Sequence, residues 1–341
     1  MESREKGFSL IELMVAMVVT LIISGAVFQL VTAGQSAFKK EPAAADRQQN
    51  IRMAVDILGQ DLFQAGYGMP SFAQAFTNNL NAVGPMGSGG EKADELEIFR
   101  ASECPPLTVC PLNSDPSKSI VTMEKFSACY DMPAIVLMGN DSEWDLRWAK
   151  APGKGETAKN CGDSGNDDNG RHGHAVFPPG QAPILNPTDS FTSWQNPPTY
   201  MMVGMAIRYR INIDADGVPN FERSTAGGQN DIDGNSTWQI IARGIEDLQV
   251  RYTAANGIVT DNAGVVDRTG LDYNTIIQSV TVTLSARSEV QNVTGVMRAT
   301  VGPTALRGTL TSVGSPRAAL NVLGTPLVSR SPGWVGPSPW N

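Results

Sequence analysis

Histidine is nearly missing from this sequence: His172 and His174 are the only two in 341 residues. Cysteine is scarce too, with Cys104, Cys110, Cys129 and Cys161 and no CxxC pair among them. A structural zinc site usually draws its ligands from tight pairs, so this spacing fits one poorly. Aromatic residues make up 7% of the chain, against 34 Gly and 22 Pro. That balance favours many turns and short strands over a helical bundle. Cations are outnumbered, 26 Lys and Arg against 34 Asp and Glu, for a net charge of −8. Nonspecific nucleic-acid binding needs clustered Lys and Arg to neutralise phosphates, so it is not expected here.

Catalytic signatures are missing as well. Gly153-Lys154-Gly155 lacks the spacing of a phosphate-binding loop, and no GxSxG elbow occurs. The two histidines sit in a glycine-rich polar stretch, residues 153–174, which reads as an exposed loop. The acids fall in turns rather than at paired positions on regular elements. No enzyme is expected, and no internal repeat of fixed period stands out.

What is present begins at once. From Leu13 to Phe38 no residue is charged, and roughly 20 apolar residues suffice for a helix to cross a bilayer. An ordinary signal peptide would be cut after such a run, and Ala33-Gly34-Gln35-Ser36-Ala37 offers small residues for that. The run is longer than a signal core, however, and Glu12 stands at its start. A carboxylate in lipid is costly and usually has a partner. A cut after Gly7 would give Phe8 a new α-amino group, and a neighbouring copy's amine could neutralise Glu12 as helices pack. The charges flanking the span, Arg4 and Lys6 against Lys39 and Lys40, give no preferred orientation.

Gly7-Phe8-Ser9-Leu10-Ile11-Glu12 resembles the class III signal of type IV pilins and pseudopilins. The resemblance implies that a prepilin peptidase cuts after Gly7 on the cytoplasmic side and methylates the new N-terminus at Phe8. It further implies that the apolar helix stays on the mature protein, with Glu12 setting register in a filament core. Past the span, Arg47 to Gly68 reads RQQNIRMAVDILGQDLFQAGYG. Ile51, Val55, Leu58 and Leu62 recur 4, 3 and 4 residues apart, the stripe of an amphipathic helix. Gly66 to Pro70 end it. Residues 8 to 65 at about 1.5 Å each predict a rod of roughly 85 Å, and Pro42 predicts a kink or break. The best-known major pilins carry a proline near this chain's Gln29, and that proline is missing. This block, with IIARGIEDLQVRYTAANG at 240–257, is similar to PilW-type minor pilins, relatives of the J-type pseudopilin of type II secretion.

The expected organisation is therefore a leader at 1–7, a transmembrane helix at 8–38, its amphipathic continuation at 39–66, and a periplasmic β-rich head at 67–341. Residues 207–214 and 280–287 alternate apolar with polar, as antiparallel strands packed on one face do. Shorter apolar runs at 96–99, 120–123 and 134–138 read as further strands. The fold class is α+β: a pilin-like spine helix laid on a twisted antiparallel sheet. An even cysteine count in an exported chain points to disulfides, with reduced buried thiols as the alternative. Four cysteines allow three pairings. Proximity favours Cys104–Cys110, which leaves Cys129–Cys161.

NIDADGVPNFE at 212–222 places Asn212, Asp214 and Asp216 at alternate positions before Gly217, like the start of a calcium loop. Glu222 falls at the eleventh position rather than the twelfth, and Asp-Gly is also a common hairpin tip. Both a Ca²⁺ site and a plain turn stay open, as does a weaker acidic turn at Asp231, Asp233 and Gly234. The family resemblance implies a non-enzymatic protein of the inner membrane that joins a pilus, with minor pilins, the major pilin and a tip adhesin as partners. It brings in filament functions such as adhesion and twitching motility. The alternatives are a type II secretion pseudopilin and a calcium-tuned adhesive head.

Overall fold

The computed structural model describes residues 9–69, 75–77, 80–87, 90–102, 104–110, 118–130, 132, 134–139, 144–153, 161, 171–177, 198–225, 237–263, 277–288 and 307–316. The leader, with Gly7, then Phe8, the acidic turn at 231–234 and residues 317–341 lie outside these residues.

One helix dominates the chain. Helix α1 runs from Leu10 to Phe63, 54 residues, about 81 Å at 1.5 Å per residue. It is continuous through Pro42, where a kink or break was expected. Pro42 cannot donate to the carbonyl four residues earlier, that of Phe38. The Phe38 side chain is 80% exposed, so water has access to this side of the helix. At the far end Gly66 and Gly68 take positive φ, 70° and 71°, and the Gly66 N–H donates to the Phe99 carbonyl at 2.8 Å. The chain thus leaves the helix already hydrogen-bonded to the head.

Among the described residues thirteen strands follow: β1 (Leu96–Ala101), β2 (Leu107–Thr108), β3 (Ser119–Thr122), β4 (Ala134–Gly139), β5 (Trp144–Ala149), β6 (Gly173–Val176), β7 (Tyr200–Ile213), β8 (Pro219–Ser224), β9 (Gln239–Arg243), β10 (Ile245–Ala254), β11 (Val259–Thr260), β12 (Ile277–Arg287) and β13 (Arg307–Gly314). The expected strands at 96–99, 120–123, 134–138, 207–213 and 280–286 fall on β1, β3, β4, β7 and β12. β6 begins inside the stretch expected to be loop, and places His174 opposite Val121.

Among the described residues the head holds three antiparallel sheets rather than one. The largest has the order β5-β4-β7-β8-β9, with β1 and β2 also paired to β7. A second has the order β11-β10-β12-β13, and β3 pairs with β6. The two larger sheets part at a single residue. Gly244 lies between β9 and β10 with φ +78°, and a Cβ there would lie 2.5 Å from the Arg287 carbonyl oxygen. Gly244 donates to the Pro219 carbonyl and accepts from the Arg287 N–H, both at 2.7 Å. A side chain at this corner would meet both strain and a clash.

The helix covers the seam between these sheets. Ile51, Ala54, Leu58 and Leu62 join Tyr209 and Phe221 of one sheet and Leu248, Val282 and Leu284 of the other in one core. Leu58 and Leu62 are 0% and 1% exposed, and fully burying such a side chain stabilises by roughly 1.5–3 kcal/mol. Two smaller cores lie farther along the head, one around Tyr130, Met138 and Phe177 and one around Phe99, Leu137 and Leu146.

Candidate functional site: the helix and its seat

The first half of α1 has no core to bury in. Leu10–Gln35, 26 residues of mean hydropathy 2.4, is long and apolar enough to cross a membrane, and none of it is buried. Leu10, Leu21, Phe28 and Leu30 are 70–78% exposed. Apolar residues on every side of a helix suit a lipid or helix-packed surrounding rather than water.

Glu12 has a partner in its own chain, which the expectation of an intermolecular role alone did not foresee. Ser9 caps the helix in extended geometry, and its side chain accepts from the Ile11 N–H at 3.3 Å. Glu12 Oε2 accepts from the Ser9 N–H at 3.0 Å. Ser-x-x-Glu is a capping box, each side chain serving the other end of the first turn. The signal was present in the sequence as Ser9 and Glu12 three apart. The positive end of the helix dipole favours the carboxylate at the same place.

The second half of α1 sits on the head through a row of polar contacts beside its apolar stripe. Arg47 donates to the Arg307 carbonyl at 2.8 Å, and Asn50 to the Arg243 carbonyl at 3.1 Å. Asp61 is 7% exposed. Its Oδ2 accepts from the Tyr209 hydroxyl and from Arg223 Nε at 2.8 Å. Burial, then the Asp61 charge, push the Tyr209 hydroxyl far above its ordinary pKa, so it stays a donor. Gln64 accepts from Arg100. The strand β13 approaches closely because it carries glycines: a Cβ on Gly308 would lie 3.2 Å from Arg47 Cζ, and one on Gly314 3.1 Å from Leu62 Cβ. Tyr209 falls on the apolar face expected of the 207–214 strand, but its bond to Asp61, and the part played by Arg223, Gly308 and Gly314, carry no signal in the sequence. Asp61 and Tyr209 are separated by 148 residues, beyond any local pattern.

The stretch left open between a calcium loop and a plain turn forms a hairpin. Asp214 Oδ1 accepts from the Val218 N–H at 2.8 Å and the Asp216 N–H at 3.1 Å. Its Oδ2 accepts from Asn220 at 3.3 Å and Arg243 at 3.1 Å. The backbone bond to Val218 leads in holding the Asp214 carboxyl below its usual pKa. Glu222 lies one ladder away, taking Arg210 at 2.9 Å and the Asn212 amide at 3.0 Å. Gly217, at φ +74°, makes the turn. Among the described residues, Asp214, Asp216 and Glu222 do not form a cluster tight enough to share an ion.

All four cysteines are paired, but differently from the expected pairing. The bridges are Cys104–Cys129 and Cys110–Cys161. Sequence distance misled here because the η turn at Ala128–Tyr130 folds back on the Cys104 segment. The Tyr130 hydroxyl bonds to the Pro105 carbonyl there, and burial pushes its pKa up to about 12. His172 lies beside the second bridge: a ring nitrogen and both sulfurs fall within 4.8 Å of one another.

Comparison with known proteins agrees with the start of the chain. Residues 3–28, which include Gly7, Phe8 and Glu12, match the prokaryotic N-terminal methylation motif. No curated protein sequence matches the chain. Among solved structures, a type IV-like pilin from Thermus thermophilus aligns over 80% of this chain and 96% of its own, at 11% identity and a TM-score of 0.30.

Proposed function

We propose that this chain is a PilW-type minor pilin: a non-enzymatic subunit that primes or joins a type IV filament through its helix. The observation that carries the proposal is the division of one continuous helix, Leu10–Phe63, into an unburied apolar half and a half seated on a β head. Such a helix leaves 26 residues free to exchange lipid for other helices while the head keeps its fold. The methylation motif at residues 3–28 supports processing by a prepilin peptidase after Gly7, with methylation of Phe8. Inner-membrane anchoring with a periplasmic head follows from that processing. Sibling minor pilins, the major pilin and a tip adhesin are then the partners.

The capping box survives such a cut, because Ser9 keeps its backbone N–H. A carboxylate has acceptor capacity beyond one bond, so Glu12 can hold its own helix start and still meet a neighbour's Phe8 amine. A low-dielectric ion pair of this kind is sensitive to axial register. Glu12→Ala should leave insertion and cleavage intact and reduce recovery in sheared filaments, whereas Gly7→Val should retain the leader. Membrane fractionation, sheared preparations and N-terminal sequencing decide it. A mature chain starting at Met1, or near Phe38, sinks the proposal. Recovery only with a secretion complex would favour the J-type reading.

A further inference from the structure

We propose that Cys110, Cys161 and His172 form a redox-gated site for a thiophilic d¹⁰ cation such as zinc(II). In the oxidised head the two sulfurs form a bridge, and in the reduced head the same three groups hold the ion.

Two of the three ligands are placed by one strand. The Cys110 N–H donates to the Val121 carbonyl at 2.8 Å, beside the Val109–Thr122 bridge. His172 immediately precedes β6, whose Gly173 pairs with Thr122 and donates to the Glu124 carbonyl at 2.9 Å. The end of β3 therefore fixes Cys110 from one side and His172 from the other. Cys161 comes from the polar 153–174 stretch, and its Cα lies 5.3 Å from that of Cys110.

The imidazole is anchored through Nδ1. His172 Nδ1 lies 3.2 Å from the Thr122 carbonyl oxygen and 3.0 Å from that of Met123. A carbonyl only accepts, so Nδ1 carries the proton and Nε2 carries the lone pair. A metal-binding histidine is commonly fixed in this way, by a carbonyl on its other nitrogen. Cys110 is 1% exposed, while Cys161 and His172 are half-buried. The cluster thus has a dry floor and an open side, where solvent can supply a fourth ligand, as at open zinc sites. Among the described residues no other cluster of this kind occurs, and Cys104–Cys129 has no histidine in one with it.

The chemistry balances as follows. The bridge takes two electrons and two protons from a dithiol, which closes to its own disulfide, and yields two thiols. Both thiols lose their protons as the thiolates and the neutral imidazole bind the cation. Reoxidation by a disulfide releases the ion.

The test uses the full chain in detergent, reduced with a phosphine and freed of it under nitrogen. Cobalt(II) should bind at one equivalent with thiolate-to-cobalt charge-transfer absorption, and zinc should displace it; the oxidised chain should show neither. Cys110→Ser with Cys161→Ser should abolish the absorption, and Cys104→Ser with Cys129→Ser should keep it. His172→Ala should weaken zinc at least about tenfold, the scale of losing support at such a site. No absorption in the reduced chain, absorption that survives in the Cys110/Cys161 variant, or an affinity indifferent to His172 would each overturn the proposal. A head that lost its fold on reduction would give the last of these results.

Discussion

The two halves of α1 both carry leucines and bury them to opposite degrees. Leu21 and Leu30 are 72% and 77% exposed; Leu58 and Leu62 are 0% and 1%. The first half has apolar groups on all sides and no polar side chain reaching the head. The second buries one stripe, Ile51, Ala54, Leu58 and Leu62, and leaves Met53 and Phe63 outside it, with Arg47, Asn50 and Asp61 alongside to dock it. A helix that must trade partners keeps its whole circumference alike, whereas a helix that must hold one position carries polar contacts that work in only one register.

The sharpest way to break this contrast is to delete the same atoms in each half. Leu58→Ala should destabilise the head by about 2–5 kcal/mol, the range for emptying a packed site. Leu30→Ala should leave the head's denaturation midpoint where it was. Equal effects would mean that the halves are not independent. Next in size is Asp61→Ala, which strands Tyr209 and Arg223. Arg223 is 21% exposed at its side chain, so solvent softens the loss to about 2–3 kcal/mol, below that of a fully buried pair. Tyr209→Phe removes one donor and should cost about 1 kcal/mol.

Smaller effects are expected at the glycines of β13. Gly314→Val meets the Leu62 Cβ, which cannot move without the helix, and should cost about 1–3 kcal/mol by overpacking. Gly308→Ala meets only the end of Arg47 and should stay within about 0.5 kcal/mol. Urea denaturation of both variants orders them, and a reversed order would refute the close seat.

The smallest effect is a pH dependence. The Asp214 carboxyl is held below its ordinary value, so its contribution is present above the unfolded pKa and fades as pH falls through the folded one. Asp214→Ala should lower the melting temperature at neutral pH and narrow that gap below about pH 4. Because Arg243 bonds to Asp214 through its side chain and to Asn50 through its carbonyl, the change reaches the helix seat. Millimolar calcium distinguishes the two readings of this loop: a higher melting temperature lost in Asp214→Ala with Asp216→Ala supports the ion, and no shift leaves a hairpin.

Much of the fold was legible because its signals are local. The stripe at 51–62 and the alternation at 207–213 and 280–286 report burial through spacing alone. The capping box is equally local, Ser9 and Glu12 three residues apart, but the cost of a carboxylate in lipid is the louder signal at Glu12. The division into sheets was not legible, since it depends on Gly244 turning a corner against Arg287, a residue 43 positions on by the numbering. The disulfides and the His172 cluster have the same difficulty, as each depends on segments that only the folded head brings together. The register of the hairpin at 212–222, with Arg210 facing Glu222 and Asn212 facing Asn220, was not readable either, because alternation alone does not say which residues face each other.

The passage of α1 over β13 has a mechanical meaning. Arg47 lies at Gly308 and Leu62 at Gly314, so 15 helical residues, about 23 Å, run beside six strand residues, about 20 Å. The two elements run the same way and nearly side by side. A pull along the rod would load these contacts in shear together with the bonds of Asn50 to Arg243 and of Asp61 to Tyr209 and Arg223 on the other sheet, so that the attachments share the force at once. Unzipping them one by one would need a pull across the rod instead. The head is thus fastened most firmly against a pull along the rod, and is weakest to a sideways peel.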